Sequence, residues 1–370
     1  MATGSTETDR RILVRLYQST NGNNWNSKHG WNDNSPDLGR WFGVKTNDEG
    51  RVVELNLANN NLQGAIPSAL GGLSSLVVLD LENNRLNGAI PSGLGRLSSL
   101  VLLDLMNNLL KGAIPSELGG LSSLVTLDLR SNLLSGAIPS ELGGLSSLVA
   151  LLLSRNQLIG AIPSELGGLS SLVALDLTYN RLNGAIPSEL GRLSSLVALL
   201  LSRNQLSGAI PPELGGLSSL VKLHMRNNRL IGAIPSELGG LSSLRELDLG
   251  SNRLSGAIPS ELGGLSSLAT LDLRSNWLSD LGDVQYALQL VSKFHFDDRL
   301  RLRGNPWKMP PEAVVEQGLK AIETFLGDVQ KANEIGAQVR SLQLHKVVLV
   351  GSASAGKTRC PTFCYYPPLG

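Results

Sequence analysis

The stretch "LVALDLTYNRLNGAIPSELGRLSS", residues 172–195, is the unit from which most of this chain is built, because close variants of it follow one another. Asparagines return at a constant interval of 24 positions, at Asn60, Asn84, Asn108, Asn132, Asn156, Asn180, Asn204, Asn228, Asn252 and Asn276. Nine copies of Gly-Ala-Ile-Pro keep the same period. Such a period is typical of a solenoid, in which every turn presents the same apolar side to its neighbours.

Each unit combines a short strand with a narrow return. Its regularly placed apolar residues are Leu172, Leu175, Leu177, Leu182, Ile186, Leu190 and Leu193. Leu175 and Leu177 alternate with polar or variable residues, as in a strand that buries one face. Pro187 lacks a backbone donor, so the return is predicted to be an extended piece followed by a short helical turn.

Two residues are expected to shape the bend after the strand. A column of asparagines such as Asn180 satisfies buried backbone groups, and Gly184 permits the turn that follows. The strands stack roughly 4.8 Å apart into a parallel sheet. The predicted fold class is therefore an α/β repeat, a curved right-handed coil with a parallel concave sheet and a helical cap at each end.

Both ends of the chain differ from the repeats, as expected for caps over apolar terminal turns. The N-terminal pattern predicts a helix from Thr8 to Gln18, and a hairpin is predicted around Asn47 to Gly50. The inward-facing helix residues are Ile12, Leu13, Leu16 and Tyr17. Tryptophans lie towards the two ends, at Trp25, Trp31, Trp41, Trp277 and Trp307. Packing over the terminal turns is their favoured role, with recognition as the alternative.

These patterns divide the chain into five segments. They are an N-terminal cap (1–51), a ten-copy repeat array (52–276), an irregular last repeat with a C-terminal cap (277–327), a linker helix (328–345) and an incomplete strand and phosphate loop with an unstructured tail (346–370). In the C-terminal cap, Pro310 and Pro311 open a predicted helix, and a second helix-like stretch runs from Asp328 to Leu344.

The portion of each unit that reads "LxGxIPxxLGxL" resembles the plant-type subclass of the leucine-rich repeat family. The resemblance covers roughly residues 52 to 305. It implies a recognition surface, as in the sensor part of a signalling or defence receptor.

Composition gives no sign of a nucleic-acid or membrane partner. The net charge is +1 and 42% of the residues are hydrophobic, without an apolar run long enough to span a bilayer. Both cysteines, Cys360 and Cys364, lie in the last eleven residues, so the repeats have no disulfide. The first thirty residues lack a signal-peptide pattern. The sequence therefore predicts a cytosolic protein.

The solvent-facing strand positions are those that the repeat does not dictate, so variation there is informative. They carry a column of acids at Asp80, Asp104, Asp128, Asp176, Asp248 and Asp272, interrupted by Leu152, Leu200 and His224. Stacked carboxylates raise the possibility of a metal or acid–base site. Arginines lie one or two columns away, however, so pairing and solvation is the favoured interpretation, and no catalytic or metal-binding residue is predicted.

Tyr179 stands out on the same surface, because it is the only aromatic residue between 43 and 276. Interface energy concentrates on Tyr, Trp and Arg side chains, which makes it a candidate anchor for a protein or peptide. The alternative is an ordinary surface residue. We predict a partner-binding patch on the concave face made of Tyr179, Arg181, Arg203, Arg226 and Arg229.

Near the end of the chain, Gly351 to Thr358 read as a phosphate loop, G-x-x-x-x-G-K-T, after an apolar strand. This order, after an N-P-x-x-x-P-P segment and a helix, resembles the ROCO family, in which repeats pass into a Roc GTPase and a COR domain. The resemblance implies nucleotide-binding roles for Gly351, Gly356, Lys357 and Thr358. Only twelve residues follow, against the roughly 150 of a domain, so we expect a truncated product or a frame that departs near Arg359, without tight GTP binding.

Two functions from different classes remain. The favoured one is a non-enzymatic interaction module that binds a protein or peptide on its concave face, without a cofactor. The alternative is the N-terminal part of a ROCO-type GTPase, in which GTP and magnesium would bind a complete Roc domain.

Overall fold

Buried leucines at the repeated positions hold the turns of the coil together. In the computed structural model, which describes residues 3–31, 37–294 and 299–334, the side chains of Leu172, Leu175 and Leu177 have no solvent exposure. Equivalent leucines in neighbouring turns form one continuous core with them. Burying each such side chain contributes about 1.5–3 kcal/mol, so the stack rather than any single turn is the folding unit.

Twenty short strands lie within the described residues. The first ten are β1 (Val44–Thr46), β2 (Val52–Asn56), β3 (Gln63–Ala65), β4 (Val78–Asp80), β5 (Arg85–Gly88), β6 (Leu102–Asp104), β7 (Leu109–Gly112), β8 (Thr126–Asp128), β9 (Leu133–Leu134) and β10 (Ala150–Leu152). The other ten are β11 (Ala174–Asp176), β12 (Ala198–Leu200), β13 (Ser207–Gly208), β14 (Lys222–His224), β15 (Arg229–Gly232), β16 (Glu246–Asp248), β17 (Arg253–Ala257), β18 (Thr270–Asp272), β19 (Trp277–Asp280) and β20 (Leu300–Arg301).

Among the described residues, twelve of these strands form the main sheet, in the order β1-β2-β4-β6-β8-β10-β11-β12-β14-β16-β18-β20. The first pair is antiparallel and forms the predicted hairpin, and the other pairs are parallel. Neighbouring repeat strands pair residues one repeat apart, such as Ala150 with Ala174. Two smaller sheets, β3-β5-β7-β9 and β13-β15-β17-β19, follow the bend after the main strands. The predicted solenoid with its parallel sheet is confirmed.

The return of each unit contains a 3-10 turn, which confirms the predicted short helical segment. The turns in the array are Ser68–Gly72, Ser92–Arg96, Ser116–Gly120, Ser140–Gly144, Ser164–Gly168, Ser188–Arg192, Pro212–Gly216, Ser236–Gly240 and Ser260–Gly264. Adjacent turns approach closely, since a Cβ on Gly191 would clash with the carbonyl oxygen of Glu213. Gly184 has a φ of 76°, as the predicted bend requires.

The buried asparagine column bonds neighbouring turns to one another. The Nδ2 group of Asn180 donates to the carbonyls of Leu153 and Leu177 at 3.0 and 3.1 Å. Its Oδ1 accepts from the backbone N–H of Leu158 at 3.0 Å. Asn156 and Asn204 make the same set of bonds in the adjacent turns. The prediction that these asparagines satisfy buried backbone groups is confirmed.

At the N-terminus, α1 (Thr3–Ser19) covers the first turns and includes the predicted helix. Ile12, Leu13 and Leu16 are buried as predicted, and Tyr17 packs partly buried against them. The buried carboxylate of Asp9 accepts from Arg51 Nε at 2.9 Å and from the N–H of Val52 at 3.1 Å. This ion pair joins the helix to β2.

The N-terminal tryptophans pack rather than face solvent. Trp25, Trp31 and Trp41 are each no more than 6% exposed. Trp31 lies between the other two, with ring centroids 4.8 and 4.9 Å away. The predicted packing role is confirmed for these three residues.

At the C-terminus, the described residues form three helices, where the sequence predicts an irregular last repeat, one helix opened by Pro310 and Pro311, and a second from Asp328. They are α2 (Val284–Lys293), α3 (Glu312–Glu316) and α4 (Leu319–Glu334). The break between α3 and α4 falls at Gly318, whose φ is 97°. The separate helix predicted from residue 328 is instead a continuation of α4 as far as Glu334, and the rest of that stretch lies outside the described residues.

The two C-terminal tryptophans have different environments. Trp307 is 6% exposed, and its Nε1 donates to the carbonyl of Leu302 at 2.9 Å, as a packing role predicts. Trp277 is 57% exposed, so its predicted packing role is wrong. Trp277 directly follows the buried Asn276, just as the exposed Arg181 follows Asn180 in its own turn. Side chains at this position point away from the core.

Candidate functional site

The variable side chains of the repeats line the solvent side of the main sheet, which we call the sheet face. In the unit that begins at Leu172 they are Ala174 and Asp176 on β11, followed by Thr178 and Tyr179. Because the register is constant, the residues one repeat before and one repeat after each of these stand beside it. The sheet face is therefore a grid of columns.

One column of this grid has a left-handed backbone in every turn. It consists of the residue before each buried asparagine, namely Asn59, Asn83, Asn107, Ser131, Arg155, Tyr179, Arg203, Asn227, Ser251 and Ser275, all with φ between 51° and 58°. Asparagine tolerates this conformation, whereas other side chains with a Cβ lose roughly 1–2 kcal/mol. Three consecutive turns nevertheless carry Arg155, Tyr179 and Arg203. The three large side chains of the column thus stand together.

These three side chains form a stack. The guanidinium carbon of Arg155 lies 5.0 Å from the centroid of the Tyr179 ring, and that of Arg203 lies 4.6 Å from it. The ring is 39% exposed, so each cation–π contact contributes about 0.5–1 kcal/mol. Among the described residues, neither guanidinium forms an ion pair with a carboxylate, in contrast to Arg130 and Arg274.

Small and apolar residues adjoin the stack. Together with it, the first and last residues of β10, β11 and β12 and the residue two positions after each strand form a central grid of three turns. The grid consists of Ala150, Leu152, Ser154 and Arg155; Ala174, Asp176, Thr178 and Tyr179; and Ala198, Leu200, Ser202 and Arg203. The outer two turns are identical from 148–158 to 196–206. The half-buried alanines occupy positions that carry Thr126 and Lys222 on either side. The side chains at this position are therefore smaller in these three turns than in the turns beside them.

The structure brings only part of the predicted patch together. Arg203 contacts Tyr179, whereas Arg226 extends towards Asp272, with Nη1 3.3 Å from its carboxylate oxygen. Arg229 lies on β15 in a side sheet, and Arg181 is exposed at the equivalent position of its turn. Arg155 was absent from the predicted patch. Its signal was the identity of the two units that flank Tyr179.

The acid column has a structural explanation. Asp176 Oδ1 accepts the N–H of Thr178 at 3.0 Å, and the other five acids accept equivalent bonds two residues on. Burial, with smaller contributions from the carboxylates of Asp128 and Asp80, raises the pKa of Asp104 to about 6. The column thus supports the turns, and the predicted pairing with arginines is found at Asp128 and Asp272, both of which are buried rather than solvated.

Asp272 is the most heavily paired acid of the column. Its carboxylate is 1% exposed and contacts the guanidinium groups of Arg226, Arg274 and Arg301. Burial by itself would raise the pKa of Asp272, but hydrogen bonds from Arg274 outweigh it and lower that pKa. These arginines are therefore occupied within the fold.

In the part of the chain that the structure describes, no three histidine, cysteine, aspartate or glutamate side chains are arranged to hold a metal ion. No helix among the described ranges is both long and apolar enough to cross a lipid bilayer. The predicted nucleotide-binding residues Gly351, Gly356, Lys357 and Thr358 lie outside the described residues.

Comparison with family models gives matches to leucine-rich repeats over most of the array. One model, described as "Leucine rich repeat", matches residues 50–110 and 218–278. A second leucine-rich-repeat model matches residues 123–145, 147–169, 171–193 and 195–217. A search of curated proteins gave no significant match. The matched regions together span most of the array.

Solved structures with the same fold include two receptor ectodomains. The ectodomain of the membrane receptor kinase GASSHO1/SCHENGEN3 from Arabidopsis thaliana, in complex with CASPARIAN STRIP INTEGRITY FACTOR 2, is 34% identical with a TM-score of 0.70, covering 81% of this chain and 41% of the receptor chain. The ectodomain of the Arabidopsis receptor kinase HAESA, in complex with an IDA peptide hormone, is 34% identical with a TM-score of 0.67, covering 82% and 50%. The chain thus spans at most half of these ectodomains.

A third neighbour is a plant ice-binding protein, 29% identical with a TM-score of 0.66. The alignment covers 83% of this chain and 97% of that protein. None of these matches supports the predicted ROCO resemblance.

Proposed function

Because the chain belongs to the leucine-rich repeat family, we propose that it is a binding module that holds a protein or peptide against its sheet face. The observation that carries the proposal is the Arg155–Tyr179–Arg203 stack. These residues oppose the backbone preference of their column, and strain of this kind clusters at functional sites. Tyrosine and arginine are also the side chains on which interface energy concentrates.

The neighbours support a peptide or protein as the partner. Two of them are receptor ectodomains solved with a bound factor or peptide hormone. The ice-binding neighbour carries a different function on the same architecture, so the fold does not determine the ligand. The proposal therefore rests on the central grid.

A displayed library of random peptides, selected on the purified protein, tests this proposal. We expect selected peptides to bind the Tyr179→Asn and Arg203→Asn variants at least tenfold more weakly. Asparagine suits the left-handed conformation and occurs in this column at Asn83 and Asn227, so these variants keep the fold. Arg192→Ala is the matched control, because Arg192 is exposed in the 3-10 turn of the same unit.

Peptides that bind wild type and both stack variants equally well would place the ligand elsewhere and contradict the proposal. Loss of binding to Arg192→Ala as well would indicate a general effect on the repeats. It would contradict the assignment to the sheet face in the same way.

The sensor role in intracellular signalling and the cytosolic location stay predictions, and the receptor ectodomains among the neighbours do not favour them. The ROCO alternative also stays a prediction that depends on the phosphate-loop residues. Labelled GTP tests the separate expectation that this chain does not bind GTP tightly, which sub-micromolar binding by the purified chain would contradict.

A further inference from the structure

The charges on the central grid favour an anionic ligand. Within these three turns, the sheet face and its edge carry Arg155, Arg181 and Arg203 against one carboxylate, that of Asp176. One oxygen of Asp176 already accepts the N–H of Thr178. The grid therefore has a net positive charge. An anionic group would form its strongest hydrogen bonds with the two stacked guanidinium groups.

Tyr179 holds these two guanidinium groups apart. They lie 5.0 and 4.6 Å from the ring centroid and belong to turns on opposite sides of it. Two strand spacings separate the turns, roughly 10 Å at about 4.8 Å per strand. Among the described residues, neither guanidinium forms an ion pair or a side-chain hydrogen bond, so the N–H donors of both are left for a ligand. One carboxylate binds one guanidinium in the bidentate manner, so two anionic groups are needed to engage both.

The separation selects a backbone conformation for a peptide that runs across the strands. In a polyproline II helix, residues i and i+3 lie on the same side and are about 9 Å apart. In a β-strand, the same-side neighbours i+2 and i+4 lie about 7 and about 13 Å apart. The polyproline spacing matches the two arginines, and the β-strand spacings do not.

The neighbouring residues suit such a peptide. Ala150, Ala174 and Ala198 leave space for its backbone, and the exposed ring of Tyr179 provides an apolar contact for the residues between the acids. Aromatic side chains commonly contact polyproline segments in this way. We propose that the central grid binds an extended acidic peptide whose two carboxylates are three residues apart, an inference that rests on the proposed function.

Three synthetic peptides of equal length, charge and composition test the spacing: PPEPEPPP, PPEPPEPP and PPEPPPEP, with glutamates two, three and four residues apart. Binding is measured by calorimetry on the full chain at low and physiological salt. We expect the three-residue spacing to bind at least tenfold more tightly than the other two. Arg155→Asn and Arg203→Asn should each remove this preference, whereas Arg192→Ala should retain it.

Equal affinity for the three spacings would overturn the inference, because net charge alone would then explain binding. The inference would also fall if none of the three peptides bound while library peptides still bound in a Tyr179-dependent manner. In that case the proposed function would stand. Absence of any Tyr179-dependent ligand would overturn both.

Discussion

Two adjacent columns of the solenoid show how the repeat divides its residues between folding and recognition. The column of Asn180 is buried, and the same residue occupies it in all ten units. The column of Tyr179, one residue earlier, is left-handed in every turn and varies from asparagine to serine, arginine and tyrosine. Side-chain bonds between turns dictate the first column. In the second column the left-handed backbone favours asparagine without requiring it. Large side chains in that column therefore indicate a role other than folding.

The largest expected effect is in the buried column. Asn180→Ala removes three buried hydrogen bonds: one of the two side-chain bonds to each of the carbonyls of Leu153 and Leu177, and the bond from the N–H of Leu158. At about 1 kcal/mol each, the free energy of unfolding should fall by about 3 kcal/mol. Chemical denaturation followed by circular dichroism measures the loss. A decrease below about 1 kcal/mol, the net value of a single hydrogen bond, would show that the asparagines do not hold the turns together.

Gly184, a second position with a left-handed backbone, allows the cost of backbone strain to be measured apart from the loss of side-chain hydrogen bonds. Gly184→Ala introduces a Cβ at a φ of 76°, and the free energy of unfolding should fall by about 1–2 kcal/mol. Asn183→Ala, at the exposed residue before it, is the matched control with an expected change below about 0.5 kcal/mol. Equal losses in the two variants would contradict a requirement for glycine.

The pH dependence of stability tests the raised pKa of Asp104 in the neighbouring acid column. Its pKa of about 6 in the folded chain exceeds the ordinary value near 4, so between these values the folded state keeps a proton that the unfolded state has lost. Stability should therefore fall as pH rises from about 4 to about 6. Solvent screening of this half-buried group limits the change to roughly 1 kcal/mol.

The Asp104→Asn variant removes that titration and keeps an Oδ1 for the N–H of Met106, as Asn56 does for Ala58. Thermal melts of both proteins at pH 4.5 and 7 measure the difference. We expect the variant to be the more stable protein at pH 7. An identical pH dependence in both would show that Asp104 titrates normally.

Tyr179→Asn should have the smallest effect on stability, although it should weaken binding strongly. Tyr179→Asn relieves about 1 kcal/mol of left-handed strain and loses two cation–π contacts of about 0.5 kcal/mol each, so the free energy of unfolding should change by less than about 0.5 kcal/mol. The same denaturation assay measures it. A loss as large as that of a buried core residue, above about 2 kcal/mol, would assign Tyr179 to folding and erase the contrast between the two columns.

The sequence predicts the fold well because the constant period of the repeat reports directly on what each turn must bury. It also singles out Tyr179 and Arg203, because variation within an otherwise constant unit is visible without a structure. The partnership with Arg155 depends on a left-handed backbone and on ring contacts that spacing does not reveal. Arg226 is not part of the stack because the carboxylate of Asp272, two turns away, attracts its guanidinium group. Trp277 does not pack as predicted because its position on β19 directs the side chain to solvent.

Binding and stability of one triple variant, Arg155→Asn with Tyr179→Asn and Arg203→Asn, test the central claim most directly. Asparagines in this column bond to one another, as Asn107 does to Asn83 at 2.7 Å. The account predicts a melting temperature equal to or above that of wild type. It also predicts that the triple variant does not bind the library peptides that were selected on wild type. Retained binding, or a marked fall in the melting temperature, would contradict it.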